Sequence, residues 1–278
     1  MTNKELAING QNNLDKNKVM NIQFSKYQGT GNDFVILDNR NKQYDELTGG
    51  QIKFMCDRRF GIGADGLMML NLVEGYDFEM KYYNADGSES SMCGNGGRCL
   101  VKFANDVGIA QAAYHFIAID GPHEASFSDN GWVKLKMKDV NEMDEDSGNC
   151  IVDTGSPHYV KIVNDVKEFN VFEEGRRIRN SKKFKQKGIN VNFVEVQHGQ
   201  IYVRTYERGV ENETYSCGTG VTASALACAH NTGYNHVPVQ TLGGELAVEF
   251  KKDQKDHFSN IWLSGPATFV FKGEIELK

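Results

Sequence analysis

The sequence predicts an α+β protein made of two similar halves, each a sheet curled around one central helix. Three observations predict it. Short runs alternate apolar and polar residues, as half-buried strands do, and glycine-rich turns separate them. Two runs carry apolar residues at helical spacing, and one of these is apolar on nearly every side, so its helix belongs in the interior. The order of these features then repeats at long period, as an internal duplication would.

Taken in order, residues 1–20 are polar and nearly featureless and read as a mobile tail. Residues 22–27 form the first patterned strand. Gly29-Thr30-Gly31-Asn32-Asp33 is a tight turn, and residues 34–37 are a buried-type strand. A helix is expected over 48–58, a turn over 60–66, and strands over 67–70 and 78–83. Cys93-Gly94-Asn95-Gly96-Gly97 is a glycine-rich turn ahead of a helical run, 100–105, in which Cys99, Leu100, Phe103 and Ala104 share a face. Strands follow at 116–119, 124–127 and 132–135.

The second half echoes the first. Tyr206 ends a strand as Tyr83 does, and Cys217-Gly218-Thr219-Gly220 precedes the all-round apolar helical run 223–230. Strands at 237–242, 246–250 and 261–263 match the earlier three. Gly108 and Gly233 stand where a helix C-terminus favours a left-handed residue. The halves divide near Val140.

A chain of 278 residues is long enough for two domains. Its net charge of −6 argues against a nucleic-acid groove built on basicity. Arg176-Arg177-Ile178-Arg179 and Lys182-Lys183 are short clusters and read as solvated loop or helix faces. No run approaches the ~18 apolar residues of a membrane span. The start of the chain lacks the basic-then-apolar order of a secretory signal, so a cytoplasmic location with reduced thiols is expected. The cysteines at 56, 93, 99, 150, 217 and 228 form no CxxC pair and no His pair follows, so no metal site is expected. The glycine turns lack both GK[ST] and Rossmann spacing, which argues against nucleotide binding.

Cys93 and Cys217 carry the chemistry. A thiol just ahead of a helix meets the positive end of the peptide dipoles, which lowers its pKa from about 8.5 toward neutrality. Free N–H groups at the same place hold carboxylates. Two such sites suggest two thiols facing each other across a small anionic substrate. Cys56, Cys99, Cys150 and Cys228 read as packed core thiols.

From about residue 20 to 278 the chain resembles the diaminopimelate epimerase family. The resemblance rests on Lys26-Tyr27-Gln28-Gly29-Thr30-Gly31-Asn32-Asp33-Phe34, Tyr83-Asn84-Ala85-Asp86-Gly87-Ser88, Met92-Cys93-Gly94-Asn95-Gly96-Gly97-Arg98-Cys99, and Glu207-Arg208-Gly209 followed by Ser216-Cys217-Gly218-Thr219-Gly220. It implies two pseudo-symmetric domains, 21–139 and 140–266, each a barrel-like, mostly antiparallel sheet around a central helix, with the last strand, 267–278, crossing back to the first domain. It implies a site in the cleft between them and interconversion of LL- and meso-diaminopimelate without pyridoxal phosphate or any other cofactor or metal. That step serves lysine synthesis and, in many bacteria, peptidoglycan. The resemblance also implies a homodimer.

By the same resemblance, Cys93 and Cys217 are the acid–base pair, exchanging roles with direction. Backbone amides around Gly94, Asn95, Gly218 and Thr219 hold the reacting α-carboxylate. Asn84, Asn190, Glu207 and Arg208 read the distal amino-acid head, with Asn32 nearer the reacting centre. Arg208 can grip a carboxylate bidentately, and Glu207 can accept from an ammonium and influence the thiols. His158 assists near the cysteines. Without the resemblance, Glu207-Arg208 reads as an exposed charge pair, Asn32 and Asn84 as turn residues, and His158 as structural. The chain departs from the family at Gly66, where many members have Gln, and at Ser156, where many have Asn. Three alternatives stand beside this reading: a racemase of the same architecture for another amino acid such as histidine or proline, a redox dithiol switch, and a plain binding domain.

Overall fold

The computed structural model describes residues 19–255 and 257–277. The expected tail lies outside the described residues up to residue 18, and Met20 already opens the first strand. The first half runs β1 (Met20–Gly29), β2 (Asn32–Asp38), α1 (Gly49–Cys56), β3 (Gly66–Asn71), β4 (Phe78–Asn84), β5 (Glu89–Ser90), α2 (Gly94–Asp106), β6 (Ala113–Ala118), β7 (Gly121–Phe127) and β8 (Val133–Lys136). A short β9 (Asp144–Asp146) follows. The second half repeats the order as β10 (Asn149–Asp153), β11 (Pro157–Ile162), α3 (Val171–Arg179), β12 (Asn190–Gln197), β13 (Gln200–Glu207), β14 (Asn212–Thr214), α4 (Gly218–Ala227), β15 (Gly233–Thr241), β16 (Gly244–Lys252) and β17 (Phe258–Gly265). The chain ends on β18 (Thr268–Leu277).

The pairings repeat as well. β2 lies parallel to β3, β3 antiparallel to β4, and β4 parallel to β6, which leads antiparallel through β7 to β8. β11, β12, β13, β15, β16 and β17 repeat that series up to β17. β8 and β17 pair with each other and join the halves. β18 pairs with β1, and β9 takes the same place beside β10. β18 therefore crosses back to the first half, and β9 fills the equivalent place within the second. The two-half α+β architecture expected from the sequence is the one observed, and β9 is an addition to it.

One apolar cluster runs through both halves around α2 and α4, with Leu100, Val101, Phe103, Val221, Ala225 and Leu226 buried. The outer faces of the sheets are covered by α1, with Ile52 and Met55, and by α3, with Val171 and Ile178. Burying such side chains stabilises by about 1.5–3 kcal/mol each. α1 begins where the sequence predicts, because Thr48 and Gln51 form a capping box. It ends at Cys56, before the expected limit, since Asp57 is already extended. Arg176, Arg177 and Arg179 lie in the last turn of α3, where cations complement the helix dipole.

Two local expectations are corrected. The glycines after Cys93 and Cys217 do not form turns ahead of the helices; they are the helices' first turns. Close packing explains their presence there, as described below. α4 ends at Ala227, short of residue 230, and Gly233, at φ +90°, opens β15 rather than capping the helix. Gly108, at φ +96°, does follow the α2 C-cap Val107.

Candidate active site

Cys93 and Cys217 are the N-cap residues of α2 and α4, both in extended conformation, and neither side chain caps its helix. The two helix starts meet backbone to backbone. A Cβ added at Gly94 would lie 3.6 Å from the Gly218 Cα, and one at Gly218 would lie 3.5 Å from the Gly94 Cα. At Gly94 and Gly218 bare backbone thus faces bare backbone across the two halves. The thiols of Cys93 and Cys217 consequently sit in one electrostatic field, each half-buried.

Burial pushes the Cys217 thiol up to about 12, with Glu207 adding to the rise; the Thr219 hydroxyl and the Gly220 N–H oppose it. Burial also raises Cys93, against N–H donors from Gly96 and Asn95. The lowering expected from the helix dipole is thus real in direction but outweighed by desolvation. Glu207 is raised too, first by burial, although Thr214 Oγ1 donates to its Oε2 at 2.9 Å.

Asn95 ties the halves together. Its Nδ2 donates to Asn32 Oδ1 at 2.5 Å and to the Ser216 carbonyl at 3.0 Å. Arg98, fully buried, holds the other end: its guanidinium donates to Asn95 Oδ1 at 3.0 Å, to Thr30 Oγ1 at 2.9 Å and to the Gly94 carbonyl at 3.3 Å. Asn32 is further fixed by donating to Asp65 Oδ2 at 3.0 Å.

A second cluster lies at the start of β11 and β12. Asn190 Nδ2 donates to Ser156 Oγ at 2.9 Å, and Asn190 Oδ1 accepts from the Arg208 N–H at 2.9 Å. Arg208 itself donates to Ser156 Oγ at 3.2 Å. Ser156 thereby joins two of the predicted residues. His158, buried, is hydrogen-bonded to Thr219 Oγ1 at 2.9 Å, and that hydroxyl lies 3.5 Å from Cys217 Sγ. Burial drives the imidazole down to about 3, helped by Arg208, so it is neutral. Asn84, at the end of β4, turns its amide to Ser88 Oγ at 3.4 Å. It occupies in the first half the place Glu207 holds at the end of β13.

Three features escaped the sequence reading. Gly66 leaves no gap: a Cβ there would lie 2.6 Å from the Tyr82 ring and 3.0 Å from its hydroxyl. Tyr82 fills that space; burial raises its pKa, and the charges of Cys93, Asp65 and Glu207 add to the rise. The alternation of Phe78, Met80 and Tyr82 already pointed Tyr82 inward. Asn192 and Thr205, both buried, stand behind His158. Arg98 belonged to a quoted motif but had no role. Among the described residues, no group of three or more His, Cys, Asp or Glu is placed to hold a metal, and no helix is long and apolar enough to cross a membrane.

Known proteins resemble this chain in sequence and in fold. The family model described as Diaminopimelate epimerase matches residues 24–143 and 150–270, one segment in each half. A diaminopimelate epimerase of Flavobacterium psychrophilum is 47% identical over 257 residues, covering 91% of this chain and all of the relative. One of Chlorobaculum tepidum is 41% identical, covering 90% of this chain and 99% of the relative. Among solved structures, a Bacillus anthracis phenazine biosynthesis protein of the PhzF family superposes with TM-score 0.74 at 15% identity, covering 93% of this chain and 99% of its own. A hydroxyproline epimerase of Agrobacterium vitis does so at 0.64 and 12% identity, covering 92% and 93%. These two likenesses concern the fold. With sequence identity along nearly its whole length and both repeats matched, the chain belongs to the diaminopimelate epimerase family.

Proposed function

We propose that the protein is an isomerase that epimerises LL-diaminopimelate to meso-diaminopimelate, a step of lysine biosynthesis, using two thiols and no cofactor. The observation that carries this reading is the contact of Gly94 with Gly218, which brings two cysteine-led helix starts face to face. Epimerisation removes an α-proton from one face and returns one to the other. Cys217 as base and Cys93 as acid, with the roles reversed in the other direction, fit that task. Two thiolates in one field would repel, so the pair is expected to carry one thiolate and one thiol in the reactive state.

The N–H groups at the starts of α2 and α4 hold the α-carboxylate and stabilise charge developing at the α-carbon. Asn32 and Asn95 border that carboxylate. Asn84, Asn190, Glu207 and Arg208 take the distal head, whose carboxylate pairs with the Arg208 guanidinium. Burial that raises the free thiols also strengthens each of these interactions once water is displaced.

The reading extends to assembly and location: a cytoplasmic homodimer, with domains divided near Val140. Phe269, Val270 and Phe271 on β18 are exposed, apolar surface that a second copy would cover. Solvent-deuterium incorporation at the α-carbon of LL-diaminopimelate, under reducing conditions, tests the activity. Wild type is expected to exchange and epimerise; Cys93→Ser and Cys217→Ser are expected to lose epimerisation. A folded, reduced wild type with no exchange overturns the reading, and turnover of another amino acid alone redirects it. Light scattering of Phe271→Lys against wild type tests the dimer.

A further inference from the structure

The duplication places different chemistry behind the two cysteines. In the first half, Met68 on β3 pairs with Tyr82 on β4; at the same register in the second half, Asn192 on β12 pairs with Thr205 on β13. Phe34 on β2 pairs with Gly66, and its counterpart His158 on β11 pairs with Asn190. Both sets press on the third residue of a helix. A Cβ at Gly96 would meet Met68 Sδ at 3.3 Å and the Phe34 ring at 3.5 Å; one at Gly220 would meet Asn192 Oδ1 at 2.4 Å and His158 Cε1 at 3.3 Å. Phe34, Met68 and Tyr82 thus correspond to His158, Asn192 and Thr205. The helix behind Cys93 rests on an apolar set, and the helix behind Cys217 rests on a polar chain.

The bonds of that chain have a direction. Asn192 Nδ2 reaches the Tyr159 carbonyl at 3.3 Å, a group that only accepts, and Asn192 Oδ1 receives the Thr205 hydroxyl at 2.9 Å. The same Nδ2 lies 3.0 Å from His158 Nδ1, so Nδ1 accepts. In a neutral imidazole the proton then sits on Nε2, which donates to Thr219 Oγ1 at 2.9 Å. The Thr219 proton is thereby free to point to Cys217 Sγ at 3.5 Å.

We propose that Asn192 and Thr205 are positioning residues that lock His158 in its Nε2–H tautomer, aim the Thr219 hydroxyl at Cys217, and so make Cys217 the sulfur that holds a negative charge more readily than Cys93. This deepens the two-thiol reading above and rests on it. The duplicated site is unequal by construction: Cys93 has Gly96 and Asn95 N–H donors and the Arg98 charge, but among the described residues no hydroxyl is hydrogen-bonded to its sulfur as Thr219 is to Cys217. The charged and titratable groups facing the pair are Glu207, which acts on both thiols, Arg98 on Cys93, Tyr82 opposite Cys93, and Arg208 beside His158.

The test compares wild type, Asn192→Met, which copies the first half, Thr205→Val and Thr205→Ser. Iodoacetamide labelling of each cysteine is followed by mass spectrometry across pH. Imidazole ¹⁵N shifts report the His158 tautomer. Wild type is expected to show pyridine-like Nδ1 and pyrrole-like Nε2. Asn192→Met is expected to move the Cys217 labelling midpoint up by about one pH unit, leaving Cys93 in place. Thr205→Val is expected to shift it in the same direction by less, and Thr205→Ser to restore it. A Nδ1–H tautomer in wild type overturns the proposal. So does a folded Asn192→Met or Thr205→Val whose Cys217 midpoint stays put or moves together with that of Cys93. Labelling does not depend on turnover, so failure of the epimerase reading shows separately, as absent α-proton exchange in wild type.

Discussion

Asn95, in the first turn of α2, donates to the main-chain carbonyl of Ser216, the residue just before Cys217. That single bond crosses from one half of the chain to the other at the point where the two helix starts meet. It exists only while the Asn95 amide faces the right way, and Arg98 sets that orientation by donating to Asn95 Oδ1.

Arg98 is buried with one guanidinium nitrogen, Nε, lacking a hydrogen-bond partner, and among the described residues it makes no ion pair with a carboxylate. Removing it therefore strands no opposite charge, and a buried charge exchanged for an apolar side chain of similar length is often neutral or stabilising. Arg98→Met is expected to keep or raise Tm while lowering kcat/KM by about a hundredfold, because the Asn95 bridge loses its fixed orientation. Thermal denaturation alongside steady-state kinetics checks both. A parallel loss of stability and activity would make Arg98 a structural residue instead.

His158 gives a pH prediction. Its folded-state pKa, about 3, lies below the ordinary histidine value of 6.5 because of burial and Arg208. The unfolded chain takes up that proton first as pH falls. The contribution of His158 to stability is therefore full above about pH 6.5, declines as pH drops through the window, and is exhausted below about 3. His158→Phe, which copies Phe34, is expected to flatten the stability curve between those limits. Denaturant melts of both proteins from pH 7 to 4 measure it, and equal slopes would contradict the assignment.

Asp33 acts lower on the scale. Burial raises its carboxyl, but hydrogen bonds from Arg58 and Lys26 overcome this and bring it to about 2, below the ordinary 3.8. Its contribution is present above pH 3.8 and lost as pH falls through about 2. Asp33 also receives Arg58 at 2.6 Å, and the same guanidinium holds Asp65, the acceptor that orients Asn32. Asp33→Asn is expected to make the acid limb of stability less steep and to raise KM through the loosened Asn32. Acid titration followed by circular dichroism checks the first, and kinetics at neutral pH the second.

The repeat could be read because strand alternation and the cysteine–glycine motifs are local patterns, and the duplicated order survives in the chain. The correspondence of the two cysteine-led helix starts was legible for the same reason. Tyr82, Asn192 and Thr205 were not, since their importance lies in what they face across strands, and a Tyr or Thr in a strand reads as ordinary packing. The helix starts were misplaced because glycine is a poor helix former; close neighbours at Gly96, Gly218 and Gly220 explain why the first turns carry it. The thiol pKa direction was misjudged because the dipole is visible in sequence and burial is not.

The glycines at the two helix starts separate packing from function. A Cβ at Gly220 would stand 2.4 Å from Asn192 Oδ1, too close without moving that side chain. Gly220→Ala is therefore expected to cost about 1–3 kcal/mol, as overpacking of a close-fitted interior does. Gly94 differs: its Cβ would meet the Gly218 Cα and Leu263 Cδ2 at 3.6 Å each, ordinary contact distances. Alanine there gains up to about 1 kcal/mol of helix propensity relative to glycine. Yet the new methyl lies between the two cysteine turns, where the α-carboxylate is proposed to bind against bare backbone. Gly94→Ala is expected to hold or raise Tm while raising KM for diaminopimelate about tenfold or more, an effect of the size that a misplaced binding group produces. Calorimetry and initial-rate kinetics on the two variants decide it: if Gly94→Ala binds substrate as wild type does, the carboxylate does not sit between the helix starts.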